Sequence, residues 1–176
     1  AIYYIEKWSC RLFVLNVATK KEIDLIQEAR NRALLIYAET SPQQLFHGDA
    51  SQSNHLWEAL NNNVIETIGS GYNVNHQSQE KISFNGKDYS LSDPIFLLPF
   101  LLTAINEKKI SLDKLATLTS LNIRDIFELS RTQDYLLIDM EKEQTIKKIQ
   151  KDRQVDLKIK GWPVYTIIKG HIFPVS

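Results

Sequence analysis

The chain has 176 residues, of which 43% are hydrophobic and 24% charged, as is ordinary for one globular domain or for one and a half small ones. Lysine plus arginine equals aspartate plus glutamate at 21 each, so no net field favours nucleic acid or an anionic membrane as a partner. The longest apolar run, from Pro94 to Ile105, is too short to span a bilayer and is typical of a buried helix.

The single cysteine and the first residues bear on the compartment. Cys10 has no second cysteine to pair with, so secretion gains no support, and we expect its side chain to pack as a small buried hydrophobe. Glu6 and Lys7 interrupt any apolar signal-peptide region. The expected compartment is therefore the cytoplasm. The first residue is Ala1 rather than methionine, which favours a fragment or a cleavage product.

The first 71 residues alternate helical and strand patterns. The predicted elements, in order, are the end of a helix at 1–8, strand 11–17, helix 20–31, strand 34–39, helix 56–60 and strand 64–68. Ser41-Pro42 predicts an extended or turn conformation after the second strand, and Gly69-Ser70-Gly71 closes the third. This order predicts repeated αβ units around a parallel sheet.

The middle of the chain changes from polar to strongly apolar. Residues 72–91 are loop-like, but Asn85-Gly86 between alternating residues predicts a two-residue hairpin. Pro94 to Glu107 predicts an apolar helix. Ser111 and Asn122 are candidate caps of two further short helices, the second of which runs to Leu129.

Short β patterns dominate the end of the chain. The predicted strands are 135–139, 155–159, 165–168 and 171–175. Between the first two lies a charge-rich run, Glu141 to Arg153, which we interpret as a solvated helix or a flexible connector rather than a nucleic-acid patch, because acidic residues dilute its lysines. We therefore expect a small mainly β subdomain over 131–176 after an α/β body over 1–130.

Four stretches, taken together, resemble a known family. Leu12 to Thr19 ends in Asn-Val-Ala-Thr, 38–42 reads Ala-Glu-Thr-Ser-Pro, 69–72 reads Gly-Ser-Gly-Tyr, and 157–170 contains Gly-Trp-Pro-Val-Tyr. In this order they are similar to the C-terminal half of a cyclic amidohydrolase of the dihydroorotase, hydantoinase and dihydropyrimidinase type. The first three family segments typically end in His-Val-Ser-Thr, Glu-Val-Thr-Pro and Gly-Thr-Asp-His.

The resemblance implies about three strands of a (β/α)₈ barrel with their helices, followed by a small β subdomain. The family reaction is hydrolysis of a cyclic amide by zinc-activated water. By position, Asn16 occupies the place of a histidine ligand, and Gly71 that of the aspartate that binds metal and acts as acid and base. Tyr72 stands where the adjacent histidine would. The remaining family ligands would precede Ala1. We therefore expect neither a catalytic residue nor a zinc site in this chain.

Three functional hypotheses follow from the sequence. The first is a dihydroorotase-like pseudoenzyme in pyrimidine metabolism, inactive alone, for which the resemblance also implies an aspartate carbamoyltransferase as a partner. The second is the C-terminal fragment of a longer active amidohydrolase. The third is a small-ligand-binding α/β domain. Three strands cannot close an eight-stranded barrel, so we expect an obligate partner: a second copy, or a chain carrying the N-terminal half of the barrel.

Overall fold

A computed structural model describes residues 1–47, 49–73, 80–130, 132–150 and 153–175. The chain folds into two compact units. Unit 1 comprises residues 1–71 and 110–129, and unit 2 comprises 72–109 and 130–176. The chain therefore passes between the two units more than once, near residues 71, 109 and 129.

Unit 1 contains a three-stranded parallel sheet in the order β1-β2-β3. Its elements are α1 (Ile2–Trp8), β1 (Leu12–Val14), α2 (Lys20–Asn31), β2 (Ile36–Thr40), α3 (Pro42–His47), α4 (Ala50–Asn61), β3 (Thr67–Ile68), α6 (Leu112–Ala116), a π-helical turn (Thr117–Leu121) and α7 (Asn122–Phe127). The alternation of helix and strand was predicted, and the parallel sheet confirms it. The mixed α/β class is confirmed with it.

One face of β2 is buried and the other is not. Ile36, Ala38 and Thr40 are at most 4% exposed, whereas Tyr37 and Glu39, which point to the other face, are half-buried. The buried residues of α2 and α4 recur at helical spacing and supply much of the remaining core; they are Ile23, Ile26, Ala29, Leu56, Trp57, Ala59 and Leu60. The helices thus cover a sheet that is apolar on one side only.

The amino end of this sheet is fastened by an ion pair. Arg30 forms a salt bridge with Glu66, and its guanidinium also donates to the carbonyls of Ile36 (3.0 Å) and Asn63 (3.2 Å). The second carboxylate oxygen of Glu66 accepts from the Ala38 amide at 2.9 Å. This network joins α2, β2 and the residues before β3. Its side-chain hydrogen bonds therefore add to the few backbone hydrogen bonds that the two-residue strand β3 can make.

Unit 2 contains a five-stranded antiparallel sheet in the order β5-β4-β6-β7-β8. Its strands are β4 (Glu80–Phe84), β5 (Lys87–Ser90), β6 (Tyr135–Gln150), β7 (Arg153–Ile168) and β8 (His171–Pro174), with a 3₁₀ turn (Pro94–Phe96) and α5 (Leu97–Asn106). The predicted hairpin is confirmed: Asn85 and Gly86 join β4 to β5 with φ of 50° and 73°, as a type I′ turn requires.

The core of unit 2 is aromatic and depends on one glycine. Phe84 packs against Phe96 and Trp162 with ring centroids 5.9 and 5.3 Å apart. Gly161 has a φ of 99°, and a Cβ added there would lie 2.5 Å from Cβ of Leu102 on α5. Only glycine therefore allows β7 to approach α5 this closely.

The charge-rich run was predicted wrongly. Residues 141–150 belong to β6, and Arg153 begins β7, so two 16-residue strands replace the predicted short ones and the helix or connector between them. Every second residue of β6 faces solvent in this stretch, while Ile146 is fully buried opposite Leu157. A strand with one solvated face tolerates many charges, and this alternation of period two was obscured by the overall charge density.

At Ser41-Pro42, Ser41 lies outside regular secondary structure and Pro42 starts α3, because the first helical position needs no amide hydrogen. Two local expectations were wrong. Cys10 is exposed rather than buried. Asn122 does not cap α7; its side chain donates to the Glu66 carbonyl at 2.7 Å, and the π-helical turn continues into α7 without a break. Among the described residues, no helix is long and apolar enough to cross a membrane.

Candidate functional site at the carboxyl end of the parallel sheet

The three parallel strands end at one edge, and the residues that follow them carry the candidate site. Asn16 follows β1, Ser41 follows β2, and Gly69-Ser70-Gly71 follows β3. The carboxyl ends of parallel strands are where α/β folds gather their functional side chains, because each strand there gives way to a loop.

Backbone and hydroxyl hydrogen bonds hold the loop after β1 in place. The Val17 amide donates to the Glu39 carbonyl at 2.8 Å, and the Thr40 hydroxyl donates to the Val17 carbonyl at 2.8 Å. Asn16, just before this anchor, has a φ of 56°. Asparagine tolerates this left-handed conformation better than most residues, so the loop presents Asn16 at the sheet edge without requiring glycine.

Helix α2 begins directly after this loop with a capping box. The Thr19 hydroxyl accepts from the Glu22 amide at 3.3 Å, and the Glu22 carboxylate accepts from the Ala18 and Thr19 amides at 2.9 Å each. Burial raises the pKa of Glu22, but these amides and the Thr19 hydroxyl lower it more, so the net pKa is below the ordinary value. The box fixes where α2 starts relative to Asn16.

The structure brings Asn16 and Gly71 together. A Cβ built on Gly71 would lie 3.1 Å from Oδ1 of Asn16, 3.0 Å from Cβ of Ser41 and 3.2 Å from Oγ of Ser41. Gly71 has a φ of 71°, which other residues adopt only with strain. Any side chain at position 71 would therefore touch both neighbours. The two positions singled out in the sequence are neighbours in space.

Ser41 differs from the other buried hydroxyls at this end of the sheet. Thr40 and Thr67 are fully buried, and each donates to a backbone carbonyl, that of Val17 at 2.8 Å and that of Ala38 at 3.2 Å. Ser41 is only 2% exposed, and its hydroxyl instead faces the loop after β3, with Oγ 3.2 Å from the point where a Cβ on Gly71 would be.

Glu39 is a site residue that the sequence reasoning did not single out. Its carboxylate lies against Gly69, 2.5 to 2.7 Å from where a Cβ on Gly69 would be. Burial raises the pKa of the Glu39 carboxyl, and no ion pair with Glu39 occurs among the residues that the structure describes. The sequence could have indicated Glu39, because it is an acidic residue near the end of β2, on the face opposite the buried residues of that strand.

The donor set at this edge does not fit zinc. Zinc in proteins takes nitrogen, thiolate or carboxylate ligands in a closed or nearly closed set, whereas Asn16 offers an amide and Gly71 offers no donor atom. Within the described ranges, no three histidine, cysteine or acidic side chains are arranged to hold a metal ion. His55 and His171 lie elsewhere in the chain, while His76 and the side chain of His47 fall outside the described residues.

The sequence has curated relatives among amidohydrolases. It is 28% identical over 193 residues to the multifunctional protein pyr1-3 of Dictyostelium discoideum, covering 92% of this chain and 8% of that protein. It is 26% identical over 145 residues to the dihydroorotase of Methanosphaera stadtmanae, covering 73% of this chain and 33% of that enzyme. The curated proteins to which the chain is similar thus include a dihydroorotase and an L-hydantoinase. No family model matches the sequence.

Solved structures of the same kind share the fold. The L-hydantoinase (dihydropyrimidinase) from Arthrobacter aurescens matches with a TM-score of 0.73 and 21% identity, over 97% of this chain and 46% of that one. The inactive dihydroorotase-like domain of a Chaetomium thermophilum CAD-like multifunctional protein matches with a TM-score of 0.71 and 19% identity, over 97% of this chain and 53% of that one.

The chain spans about half the length of the solved relatives and less of the curated ones. The fold predicted from the resemblance is thereby confirmed as a portion of an amidohydrolase barrel with a β-rich second part, and the coverage is consistent with a C-terminal portion.

Proposed function

We propose that this chain is a dihydroorotase-like amidohydrolase chain that is inactive by itself, a pseudoenzyme in the setting of pyrimidine metabolism. The observation that supports this is the pair Asn16 and Gly71. They lie next to each other at the carboxyl edge, where the family resemblance places a histidine ligand and the metal-binding aspartate. With an amide at one position and no side chain at the other, the site has neither the ligands for zinc nor an acid and base for hydrolysis.

A second candidate function is supported by the coverage of the relatives. The chain spans 46% of the L-hydantoinase structure and 33% of the dihydroorotase. It could then serve as the C-terminal part of a longer amidohydrolase whose catalytic residues lie in the other half. In that case Asn16 and Gly71 would be substitutions within an otherwise complete barrel. The third hypothesis, an unrelated small-ligand-binding domain, loses its basis because the relatives are amidohydrolases.

A partner chain is part of the proposal, and unit 1 supports it. In its sheet, β1 and β3 are both edge strands. Parallel sheets are normally covered on both faces and rarely stand as three strands, because each unpaired edge leaves backbone amides and carbonyls without partners. A second copy, or a chain carrying the N-terminal half of the barrel, would supply the adjoining strands.

Unit 2 supports a partner independently. Strands β6, β7 and β8 pair side by side, so each residue of β7 has a neighbour on both sides. Two such rows share one face of the sheet: Tyr135, Ile167 and Ile172 form the first, and Leu137, Tyr165 and Pro174 form the second. These six residues carry no charge, yet Tyr135, Leu137 and Ile172 are 63%, 55% and 65% exposed. Contiguous apolar patches of this kind mark interaction sites. An aspartate carbamoyltransferase, as implied by the family resemblance, is a further proposed partner.

Native mass spectrometry of the purified protein, with metal analysis, tests the proposed function. A metal-free homo-oligomer of 20.3 kDa chains without dihydroorotate hydrolysis is the expected result. A larger co-purifying polypeptide with bound zinc and hydrolytic activity would instead establish the second candidate. Zinc bound with activity in this chain alone would contradict both.

A double substitution, Asn16→His with Gly71→Asp, tests whether the missing ligands alone explain the inactivity. We expect no detectable hydrolysis of dihydroorotate by this variant, because two ligands do not make a catalytic zinc site and Gly71 has a backbone conformation that aspartate adopts with strain. Hydrolysis above that of the unsubstituted chain, in an assay with added zinc, would overturn the pseudoenzyme proposal.

A further inference from the structure

We propose that Asn85, in the hairpin between β4 and β5, is a site of spontaneous deamidation and converts to aspartate and isoaspartate. The reacting groups are the side-chain amide of Asn85 and the backbone amide of Gly86, which follows it. The inference concerns unit 2 alone and does not rest on the proposed function. Its consequence is a covalent change at one edge of the five-stranded sheet, since β5 is an edge strand.

Three asparagines among the described residues have a left-handed backbone, and they form a matched set. Asn16, Asn63 and Asn85 have φ of 56°, 58° and 50°, and all three are exposed. The sign of φ and access to solvent therefore do not distinguish them. The difference lies in the next residue, whose amide nitrogen would attack the asparagine side chain. It is a valine after Asn16 and Asn63 and a glycine after Asn85.

The two valines are held in place by their backbone amides and by their side chains. The Val17 amide donates to the Glu39 carbonyl at 2.8 Å, and the Val64 amide donates to the Ala59 carbonyl at 2.8 Å. Both valines are buried, at 1% and 8% exposure, and both are branched at Cβ. Attack by either nitrogen would break a backbone hydrogen bond and move a branched side chain within packed surroundings.

Gly86 has neither restraint. Asn85 and Gly86 are the two central residues of the turn, so the hydrogen bond that closes the turn joins Phe84 and Lys87 and leaves the Gly86 amide outside the ladder. Gly86 is exposed, and a Cβ added there would meet no atom within 4 Å. The turn is the tip of a hairpin at the sheet edge, so the local opening that lets the two amides reorient breaks few contacts.

The reaction needs only water, and nothing is oxidised or reduced. After its proton passes to hydroxide, the Gly86 nitrogen bonds to Cγ of Asn85, the bond from Cγ to Nδ2 breaks, and ammonia leaves with a proton from solvent. Water then opens the five-membered imide. Cleavage at Cγ gives aspartate, and cleavage at the main-chain carbonyl gives isoaspartate, whose backbone is one methylene longer. Asp-Gly still favours a type I′ turn, whereas the longer backbone does not fit the pairing of Phe84 with Lys87.

Peptide mapping by mass spectrometry of the full chain, incubated in the folded state at neutral and at mildly alkaline pH, tests the proposal. Asn85 should deamidate, faster at the higher pH because the Gly86 amide must lose its proton. Asn16 and Asn63 are internal controls in the same sample and should react at least about tenfold more slowly, since the amides that would attack them are hydrogen-bonded. Enzymatic methylation of the free α-carboxylate identifies isoaspartate. Asn85→Gly, which leaves a Gly-Gly turn of the same type, should abolish the signal from this hairpin.

Hydrogen exchange of incubated and fresh protein tests the structural consequence. The isoaspartyl fraction should lose protection of the β5 amides, whereas freshly purified Asn85→Asp, which has the new charge without the longer backbone, should keep it. Deamidation of Asn85 no faster than that of Asn16 or Asn63, or a product containing aspartate alone, would overturn the proposal. Full protection of β5 in the isoaspartyl form would overturn its consequence for the sheet edge. Metal content and hydrolysis, which decide the proposed function, are independent of all these outcomes.

Discussion

Each end of the parallel sheet carries a half-buried glutamate, and the two glutamates differ in whether their carboxylates have partners. At the amino end, Glu66 has a salt bridge to Arg30 and a hydrogen bond from the Ala38 amide. At the carboxyl end, Glu39 has neither among the described residues and rests against Gly69. Burial raises the pKa of both carboxyls, but only for Glu66 do Arg30 and the Ala38 amide act against that effect.

The difference identifies the amino end as the end where side chains maintain the fold. In barrels of this kind, polar residues at the amino ends of the strands serve stability, whereas those at the carboxyl ends serve function. Glu66 replaces backbone pairing that the two-residue strand β3 is too short to provide. Glu39 rests against Gly69, and among the described residues no ion pair or backbone donor compensates its carboxylate, so the carboxyl end has no network that corresponds to that of Glu66.

The largest effect is expected from Arg30→Met. It leaves the Glu66 carboxylate half-buried without its countercharge, and removal of one partner from a buried ion pair destabilises a protein by roughly 3–5 kcal/mol. Both side chains retain some exposure, 24% and 18%, so we expect about 2–3 kcal/mol at neutral pH. Urea unfolding measures it. The loss should shrink in acid, where Glu66 becomes protonated and no longer needs Arg30.

Lys20→Met is the matched control for that change. Lys20 pairs with Asp24 at 2.7 Å on the surface of the same helix, with both side chains about half exposed. An exposed pair of this kind contributes about 0–1 kcal/mol. A loss as large as that of Arg30→Met would contradict the assignment of the amino end as the stabilising end.

A medium effect is expected from Thr19→Ala, which removes the N-cap of α2 at the carboxyl edge. Substitution of a capping threonine by alanine costs about 1 kcal/mol. The Glu22 carboxylate would keep its two amide donors, so the residual box limits the loss. Thermal unfolding should show a lower midpoint than that of the unsubstituted chain. An unchanged midpoint would mean that the start of α2 is held by tertiary packing instead.

The smallest effect on stability, and of opposite sign, is expected from Glu39→Gln. Burial raises the folded-state pKa of Glu39 above the ordinary value of 4.5, so ionisation disfavours the folded state. The unsubstituted chain therefore loses stability as the pH rises from 4.5 through the folded-state pKa, and the variant does not. We expect the variant to be more stable at about pH 7 and equally stable at about pH 4. A destabilised variant at neutral pH would place Glu39 in the structural network instead.

Much of unit 1 could be predicted because its signals are local. The helical spacing of Ile23, Ile26 and Ala29 and the apolar strand patterns gave the order of elements, and the parallel sheet follows from that order. The sequence also singled out Asn16 and Gly71, and the structure places them next to each other because strands in a parallel sheet end at a common edge.

Unit 2 shows where sequence reasoning was insufficient. The charge-rich stretch from Glu141 could equally have been a helix, a connector or a strand, since its alternation covers only one face. Antiparallel pairing with β4 and β7 decided the outcome, and pairing is a property of partners far apart in the chain. The exposure of Cys10 was likewise decided by which surfaces the rest of the fold reaches.

The amino-acid sequence by itself determined the α/β alternation and the Asn85-Gly86 turn, and it carried the resemblance that singled out Asn16 and Gly71. These follow from residue identity and short-range periodicity. Only the tertiary structure decided that Glu39 rests against Gly69 without a countercharge among the described residues, and that Glu66 is compensated by Arg30. The reason is that burial, countercharge and hydrogen-bond satisfaction depend on which side chains from distant segments meet, and this is set by packing.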